Sequence, residues 1–363
     1  MIPVYRPDLT GNERAYVLDC LDSGWISSLG TYVERFERAI AERVGAAEAI
    51  AVCNGTAALH LALHALGIGP GDEVIVPSFT YIASVNMISH TGARPVFAES
   101  RADDWLLDPA DAAARITPRT RAIMAVHLYG AACDMTALRA IADRHGLVLL
   151  EDAAEALGTT LHGRPVGMFG DAGIFSFFGN KTVTTGEGGM VVTGDAALGR
   201  RLRQARGQGQ SFTRRYWHEV MGFNYRMTNV AAAIGCAQME RLDEILARKT
   251  ALAARYRVEL AGLPVMMQRA RPGVQSPDWL VSLLLPEGAD REGVMAAMAA
   301  RGVETRPVFH CAHTMPVQFQ AVALPVAEEI ATRGISLPSF PALTRDEQDR
   351  VVEALGLALR ANG

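Results

Sequence analysis

Apolar and polar positions along the chain change period repeatedly, and the changes divide it into elements. Residues 12–22 and 31–44 carry apolar side chains at helical spacing, on either side of Ser23-Gly-Trp-Ile-Ser-Ser-Leu-Gly30. Asn54-Gly55-Thr56 introduces a helical run from Ala57 to Leu66 that Gly67 closes. Short apolar strands are expected at Glu73–Pro77, Arg94–Phe97, 121–127 and 147–151, with helices between them at about 80–91, 108–115 and 134–145. Strands that alternate with helices in this way indicate βαβ units and a mostly parallel sheet.

The rhythm breaks at 170–193, which reads as paired short strands and glycine turns. A single long helix is expected from about Asn229 to Leu260, rich in Ala, Leu, Glu and Arg. The pattern then shortens, with a strand at Trp279–Leu285, a helix at Arg291–Ala300 ended by Gly302, and a strand at Thr305–Phe309. Thr344-Arg-Asp-Glu347 is a capping box opening the last helix. The expected organisation is a large unit over 1–245 and a small α+β unit over 246–363, with the N-terminal segment available to pack on the small unit. There is no internal repeat.

Composition narrows the class without naming it. A 363-residue chain with 49% hydrophobic and 20% charged residues is an ordinary globular protein, long enough for two units. Net charge is −4, with no concentrated basic stripe, which argues against nucleic acid as a partner. The five cysteines, Cys20, Cys53, Cys133, Cys236 and Cys311, form no CxxC, so neither a disulfide framework nor a thiolate metal site is expected. The start, Met-Ile-Pro-Val-Tyr-Arg-Pro-Asp, has no signal-peptide pattern, and no run of about 18 apolar residues suggests a membrane span. The expectation is a cytoplasmic protein.

Candidate chemistry centres on Lys181, a lone amine between Phe175-Ser-Phe-Phe-Gly-Asn180 and the turn Gly186-Glu-Gly-Gly189. Partly buried amines become nucleophilic, as a Schiff-base lysine must be. Upstream, the apolar strand Leu149-Leu ends in Glu151-Asp-Ala-Ala-Glu155, and carboxylates just past a buried strand stand where α/β proteins bind ligands. A carboxylate there can hold a pyridinium nitrogen protonated, so lysine and carboxylate together suggest a pyridoxal phosphate enzyme. Asn54-Gly55-Thr56 at a helix start is a simple N-cap or a phosphate cradle. Gly67-Ile-Gly-Pro-Gly71 follows a helix and precedes a strand, the reverse of a dinucleotide loop, and reads as a turn. His60 and His64, four apart, lack a third ligand and read as core or dimer contacts rather than metal ligands. His310-Cys-Ala-His313 reads as polar substrate contacts or loop packing. Phe212-Thr-Arg-Arg-Tyr-Trp217 mixes cations with aromatics and is a nucleotide clamp or a solvated loop.

Taken in order, Asn-Gly-Thr at 54–56, Pro-Ser-Phe-Thr-Tyr at 77–81, Glu-Asp-Ala-Ala-Glu-Ala at 151–156, Phe-Ser-Phe-Phe-Gly-Asn-Lys at 175–181 and Gly-Phe-Asn-Tyr-Arg-Met-Thr at 222–228 form a pattern. Over essentially its whole length the chain resembles the DegT/DnrJ/EryC1/StrS sugar aminotransferases. The resemblance implies the aspartate aminotransferase (type I) fold, with a mixed, mostly parallel seven-stranded sheet, and a homodimer with active sites at its interface. It implies that Lys181 is the Schiff-base lysine, that Asp152 pairs with the pyridinium nitrogen and that Tyr81 lies against the ring. Gly55 and Thr56 amides and the Ser176 hydroxyl would hold the phosphate, joined by Asn224 of the other subunit. Arg226 would meet an anionic group such as the donor's carboxylate. Glu155 departs from much of the wider family, where many members carry Gln or His near the ring hydroxyl. Cys311-Ala312 likewise replaces the Pro-Met that some close relatives show.

The implied partners are L-glutamate and a nucleotide-linked keto sugar, of which a GDP-linked 4-keto-6-deoxy sugar for surface polysaccharide fits best. Sugar choice is expected in the loops at 25–30, 212–218 and 306–313, with Trp25, Ser27, Arg215, Tyr216, Trp217, His310 and His313 as candidate contacts. The alternatives are an aminotransferase for another nucleotide keto sugar (dTDP-linked, UDP-linked or a C-3 ketose), a sugar dehydratase of the same fold, or a non-catalytic regulator. Dehydratases of this fold that resemble the GDP-linked 3-dehydratase carry His in place of the Schiff-base lysine, whereas this chain keeps Lys181.

Overall fold

The computed structural model describes residues 1–362. In chain order the helices are α1 (Glu13–Ser23), α2 (Thr31–Val44), α3 (Gly55–Ala65), α4 (Ile82–His90), α5 (Pro109–Ala114), α6 (Met135–His145), α7 (Ala196–Arg206), α8 (Asn229–Glu240), α9 (Leu242–Glu259), α10 (Arg291–Ala300), α11 (Pro325–Arg333) and α12 (Arg345–Asn362). The strands are β1 (Glu48–Val52), β2 (Glu73–Pro77), β3 (Arg94–Ala98), β4 (Thr120–Val126), β5 (Val148–Asp152), β6 (Thr160–Leu161), β7 (Arg164–Pro165), β8 (Ala172–Ser176), β9 (Gly189–Thr193), β10 (Met266–Met267), β11 (Val274–Gln275), β12 (Ser282–Leu284), β13 (Arg306–Pro307) and β14 (Gly334–Ser336).

Seven strands form the main sheet in the order β1-β9-β8-β5-β4-β2-β3. Only β9 runs against its neighbours, pairing antiparallel with β1 and β8, while the remaining pairs are parallel. The expected mixed, mostly parallel seven-stranded sheet is therefore observed. Its central strands are almost wholly buried, as in Val74, Ile75, Ile123, Leu149 and Ile174, because helices cover both faces. A second sheet, β10-β12-β14-β13, is antiparallel throughout. The N-terminal segment lies on it: Ile2 bridges Val303, and Ser339 donates its amide to the Val4 carbonyl.

Several elements depart from the sequence expectations. Strand β1, Glu-Ala-Ile-Ala-Val, was not expected, since five residues rich in alanine carry no strand signature until β9 pairs with them. Helices α7 and α11 and strand β14 were also unforeseen. The expected helix over 229–260 is two helices that break at Arg241 (φ −111°, ψ 8°). The expected strand at 279–285 shrinks to Ser282–Leu284. The Thr344–Glu347 capping box forms, with Glu347 N donating to Thr344 Oγ1 at 3.2 Å and Thr344 N to Glu347 Oε2 at 2.9 Å. All five cysteines are free. No helix among the described residues is long and apolar enough to cross a membrane, and none of their His, Cys, Asp and Glu side chains gather into a metal-binding group.

Candidate active site

Strands β1, β5 and β8 point the same way, so their carboxyl ends open onto one side of the sheet. A cavity of about 450 Å³ lies there, walled by Asn54, Gly55, Thr56, Tyr81, Ser84, Asp152, Glu155, Ser176, Lys181 and, from distant parts of the chain, Tyr129, Trp279, Arg306 and Phe309. This is the position where parallel α/β sheets take ligands.

The cradle at one end follows from backbone geometry. Asn54 caps α3 with its side chain accepting from Ala57 N at 2.8 Å. The first-turn amides of Gly55 and Thr56 have no intrahelical acceptor, and the positive end of the helix faces the cavity. Gly55 must be glycine, since a Cβ there would meet Ser176 Cβ at 2.9 Å. Gly189 must be too, since its Cβ would meet the Asn54 carbonyl oxygen at 2.4 Å. Two glycines thus bring helix start, Ser176 hydroxyl and β9 together with room for an anion.

Asp152 ends β5 at the cavity floor, 4% exposed. Its Oδ2 accepts from Ser84 Oγ at 2.7 Å and its Oδ1 from Ala154 N at 3.1 Å. Burial pushes its carboxyl above the usual carboxylate range, opposed by the Ser84 hydroxyl. Its neighbour Glu151 points to the other face and accepts from the amides of Gly167, Phe169 and Gly170. Strand alternation thus separates a structural carboxylate from one that faces the cavity.

Lys181 follows β8 in a turn closed by its amide to the Phe178 carbonyl at 2.9 Å. Its Nζ donates to Glu155 Oε1 at 3.2 Å and lies 3.8 Å from the centroid of the Trp279 ring. Glu155 Oε2 accepts from Tyr129 N at 2.8 Å; burial raises this carboxyl and the Lys181 charge opposes the rise. Tyr129 stacks on Trp279 (7° between planes) and on Phe309 (18°), giving the cavity an aromatic wall. Tyr81 stands at the rim, its ring 5.5 Å from Phe309. Tyr129, Trp279 and Ser84 carried no signal in the sequence, because the contacts that bring them here span long stretches of chain.

The remaining candidates lie elsewhere. Asn224 and Arg226 are exposed on a segment that runs beside β1, where Arg226 bridges Val52. Trp25, Ser27, Arg215, Tyr216 and Trp217 are exposed and away from this chain's cavity wall, with the Arg215 guanidinium 4.8 Å from the Tyr216 ring. His310 is exposed beside Phe309. His313, expected as a sugar contact, is 3% exposed, its Nδ1 2.6 Å from Ser78 Oγ and its Nε2 3.2 Å from Glu328 Oε1. Both ring nitrogens are occupied in tying the 310–313 loop to the end of β2. His60 packs on Phe223 and meets the Tyr225 hydroxyl at 2.9 Å.

The pieces fit pyridoxal phosphate. An amide-lined cradle suits the phosphate, and a buried carboxylate with no ion-pair partner among the described residues suits the pyridinium N–H. The Lys181 amine belongs to a side chain that lines the same cavity. Fold and site together define a pyridoxal-phosphate-dependent aminotransferase. The chain belongs to the DegT/DnrJ/EryC1/StrS aminotransferase family, whose profile matches residues 7–356. It is 48% identical to the GDP-perosamine synthase of Vibrio cholerae over 98% of both chains. Among solved structures it is similar to DesV of S. venezuelae, at 40% identity and TM-score 0.90, over 96% of this chain and 94% of that one. It is also similar to the PLP form of the putative sugar aminotransferase Spr1654 of Streptococcus pneumoniae, at 28% identity and TM-score 0.94 over 99% of both.

Proposed function

We propose that the enzyme moves the amino group of L-glutamate to GDP-4-keto-6-deoxymannose and so makes GDP-perosamine, a precursor for surface polysaccharide such as O-antigen. The observation that carries this reading is the end-to-end 48% identity to a GDP-perosamine synthase. The lysine at 181 further supports amination over dehydration.

Pyridoxal phosphate, when bound, supplies the electron sink for the pair released at the donor's Cα. The chain's residues do the rest. Gly55, Thr56 and Ser176 hold the phosphate, Asp152 keeps the ring nitrogen protonated and Tyr81 limits movement of the ring. Lys181 Nζ would accept the donor's Cα proton and pass it on, then repeat the transfer in reverse for the sugar. A water supplies the keto oxygen with which glutamate leaves as 2-oxoglutarate, and the sugar's keto oxygen leaves as water in the second half. Glu155, beside both Lys181 and the Tyr129 amide, aims the amine.

The working molecule in this reading is a cytoplasmic homodimer. Asn224 and Arg226 of one subunit serve the cradle and the donor carboxylate of the other, and Trp25, Ser27, Arg215, Tyr216, Trp217 and His310 surround the nucleotide sugar. Their exposure away from this chain's own cavity supports that arrangement. The boundary between the two units is placed near residue 245, in α9. Incubation of the purified protein with glutamate and GDP-, dTDP- or UDP-linked keto sugars, followed by mass spectrometry, tests the reading. The GDP sugar is aminated; turnover of only the others would rule the assignment out.

A further inference from the structure

Of the 35 basic residues in the chain, only Lys181 and Lys249 are lysines. Lys249 lies on α9, 1% exposed, outside the cavity wall and with no carboxylate on its amine. Its Nζ donates to two main-chain carbonyls, Trp279 O at 3.0 Å and Ser339 O at 2.6 Å, and lies 5.4 Å from the centre of the Tyr5 ring. A seat of two carbonyls suits a compact amine and would strand most of a guanidinium's five donors. The seat is unfavourable for charge: burial pushes the amine down to about 7, with Asp278 opposing. An amine kept in such a place, in a chain that uses arginine in nearly every ion pair, calls for a reason beyond solubility.

The reason lies one residue away. Trp279, held at its carbonyl by Lys249, carries the indole that lies 3.8 Å from Lys181 Nζ. The same indole donates from Nε1 to Asn180 O at 2.6 Å. Ser339, the other carbonyl on Lys249, accepts through Oγ from Val281 N at 2.9 Å and donates its amide to Val4 O at 2.9 Å. Next along the same N-terminal segment, Tyr5 donates its hydroxyl to Lys181 O at 2.8 Å. Two of the three groups that Lys249 gathers therefore touch Lys181, Trp279 at its amine and Tyr5 at its main chain, and Ser339 holds the segment that carries Tyr5.

We infer that Lys249 is a positioning residue for Lys181, holding the Trp279 main chain so that the indole face stays against the Lys181 amine. The inference rests on the assignment of Lys181 as the cofactor's lysine.

Because the chain has two lysines, protein labelled with 13C at lysine Cε gives two ε-CH2 signals, and K249M leaves one. The indole ring shields the Lys181 ε protons in wild type. In K249M their signal moves to the position seen in W279L, and in the double variant K249M/W279L it moves no further. K249Q, one bond shorter and able to reach only one carbonyl, gives a partial displacement in the same direction. In the loaded enzyme kcat falls about five-fold in K249M with KM unchanged, as loss of one cation–π contact implies. A Lys181 signal at its wild-type position in folded K249M or K249Q overturns the proposal, as does a K249M/W279L signal displaced well beyond that of W279L. The NMR arm needs no cofactor, so its failure is distinct from failure of the pyridoxal phosphate reading, which absence of a visible absorbance band in loaded wild type would reveal.

Discussion

A buried carboxylate with no cation beside it is costly until a positive group arrives, and Asp152 is such a group. Asp152→Asn is therefore expected to separate catalysis from stability. The amide still meets Ser84 and Ala154, so the cofactor-free protein melts no lower than wild type at neutral pH. The ring nitrogen loses its counter-charge, and kcat falls about 100-fold or more, while the visible band of the lysine-bound cofactor remains. Thermal melts of cofactor-free protein, absorbance and steady-state rates check the three parts; a large drop in melting temperature would show Asp152 to be structural. Gly55→Ala makes the complementary case. Its Cβ would press on Ser176 at 2.9 Å, so cofactor affinity falls at least ten-fold in equilibrium titration while the fold survives. Both residues were legible in the sequence because their meaning is local, a carboxylate just after a strand and a glycine at a helix start. Trp279 was not legible: its neighbour Lys181 lies far back in the chain, and no spacing rule joins an indole to an amine across two sheets. His313 misled for a related reason, since a histidine in a loop reads the same whether its ring nitrogens are free or already bonded to Ser78 and Glu328.

At the scale of elements, the sheet was readable from alternating apolar runs, but the break between α8 and α9 was not. Residues 229–260 contain no proline, and their only glycine lies within α8, so nothing local stops a helix at Arg241. The reason for the break is tertiary. Arg241 turns its guanidinium onto Asp8, Nη1 to Oδ1 at 3.2 Å and Nη2 to Oδ2 at 3.1 Å, and Arg248 joins at 3.3 Å. The hydrogen bonds from Arg241 hold the Asp8 carboxyl down at about 2. A carboxyl lowered by folding stabilises above its unfolded value, and that contribution is lost as pH falls through the folded one. Asp8→Asn is thus expected to cost on the order of 2 kcal/mol at pH 7, with the difference from wild type shrinking between about pH 4 and pH 2. Urea melts of both proteins across that range check it. A difference that persists at pH 2 would place the effect in packing instead of charge. Because the same N-terminal segment carries Tyr5 to the Lys181 carbonyl, D8N also slows turnover.

At the scale of the molecule, one chain presents the cradle, floor and amine, and leaves a second set of side chains turned outward. Trp25, Ile26, Leu29, Phe212, Tyr216, Trp217 and Met221 are large, apolar and about half or more exposed, more than an isolated chain ordinarily tolerates in two short stretches of sequence. Arg226 and Asn224 stand exposed beside them in the chain. A two-fold dimer would cover such a surface and bring these residues to the partner's cavity. The consequence is a test by complementation. Lys181→Ala and Arg226→Glu should each be nearly inactive, the first for want of the amine and the second for want of a seat for the donor's carboxylate. Mixed after subunit exchange, half the dimers are heterodimers, and in each of these one site carries both defects while the other carries none. Activity should return to about a quarter of wild type. A site built wholly from one chain would place one defect in every site and recover nothing, so the recovered fraction, read beside the mass of the species in solution, decides whether the outward-facing arginine belongs to the neighbouring cavity.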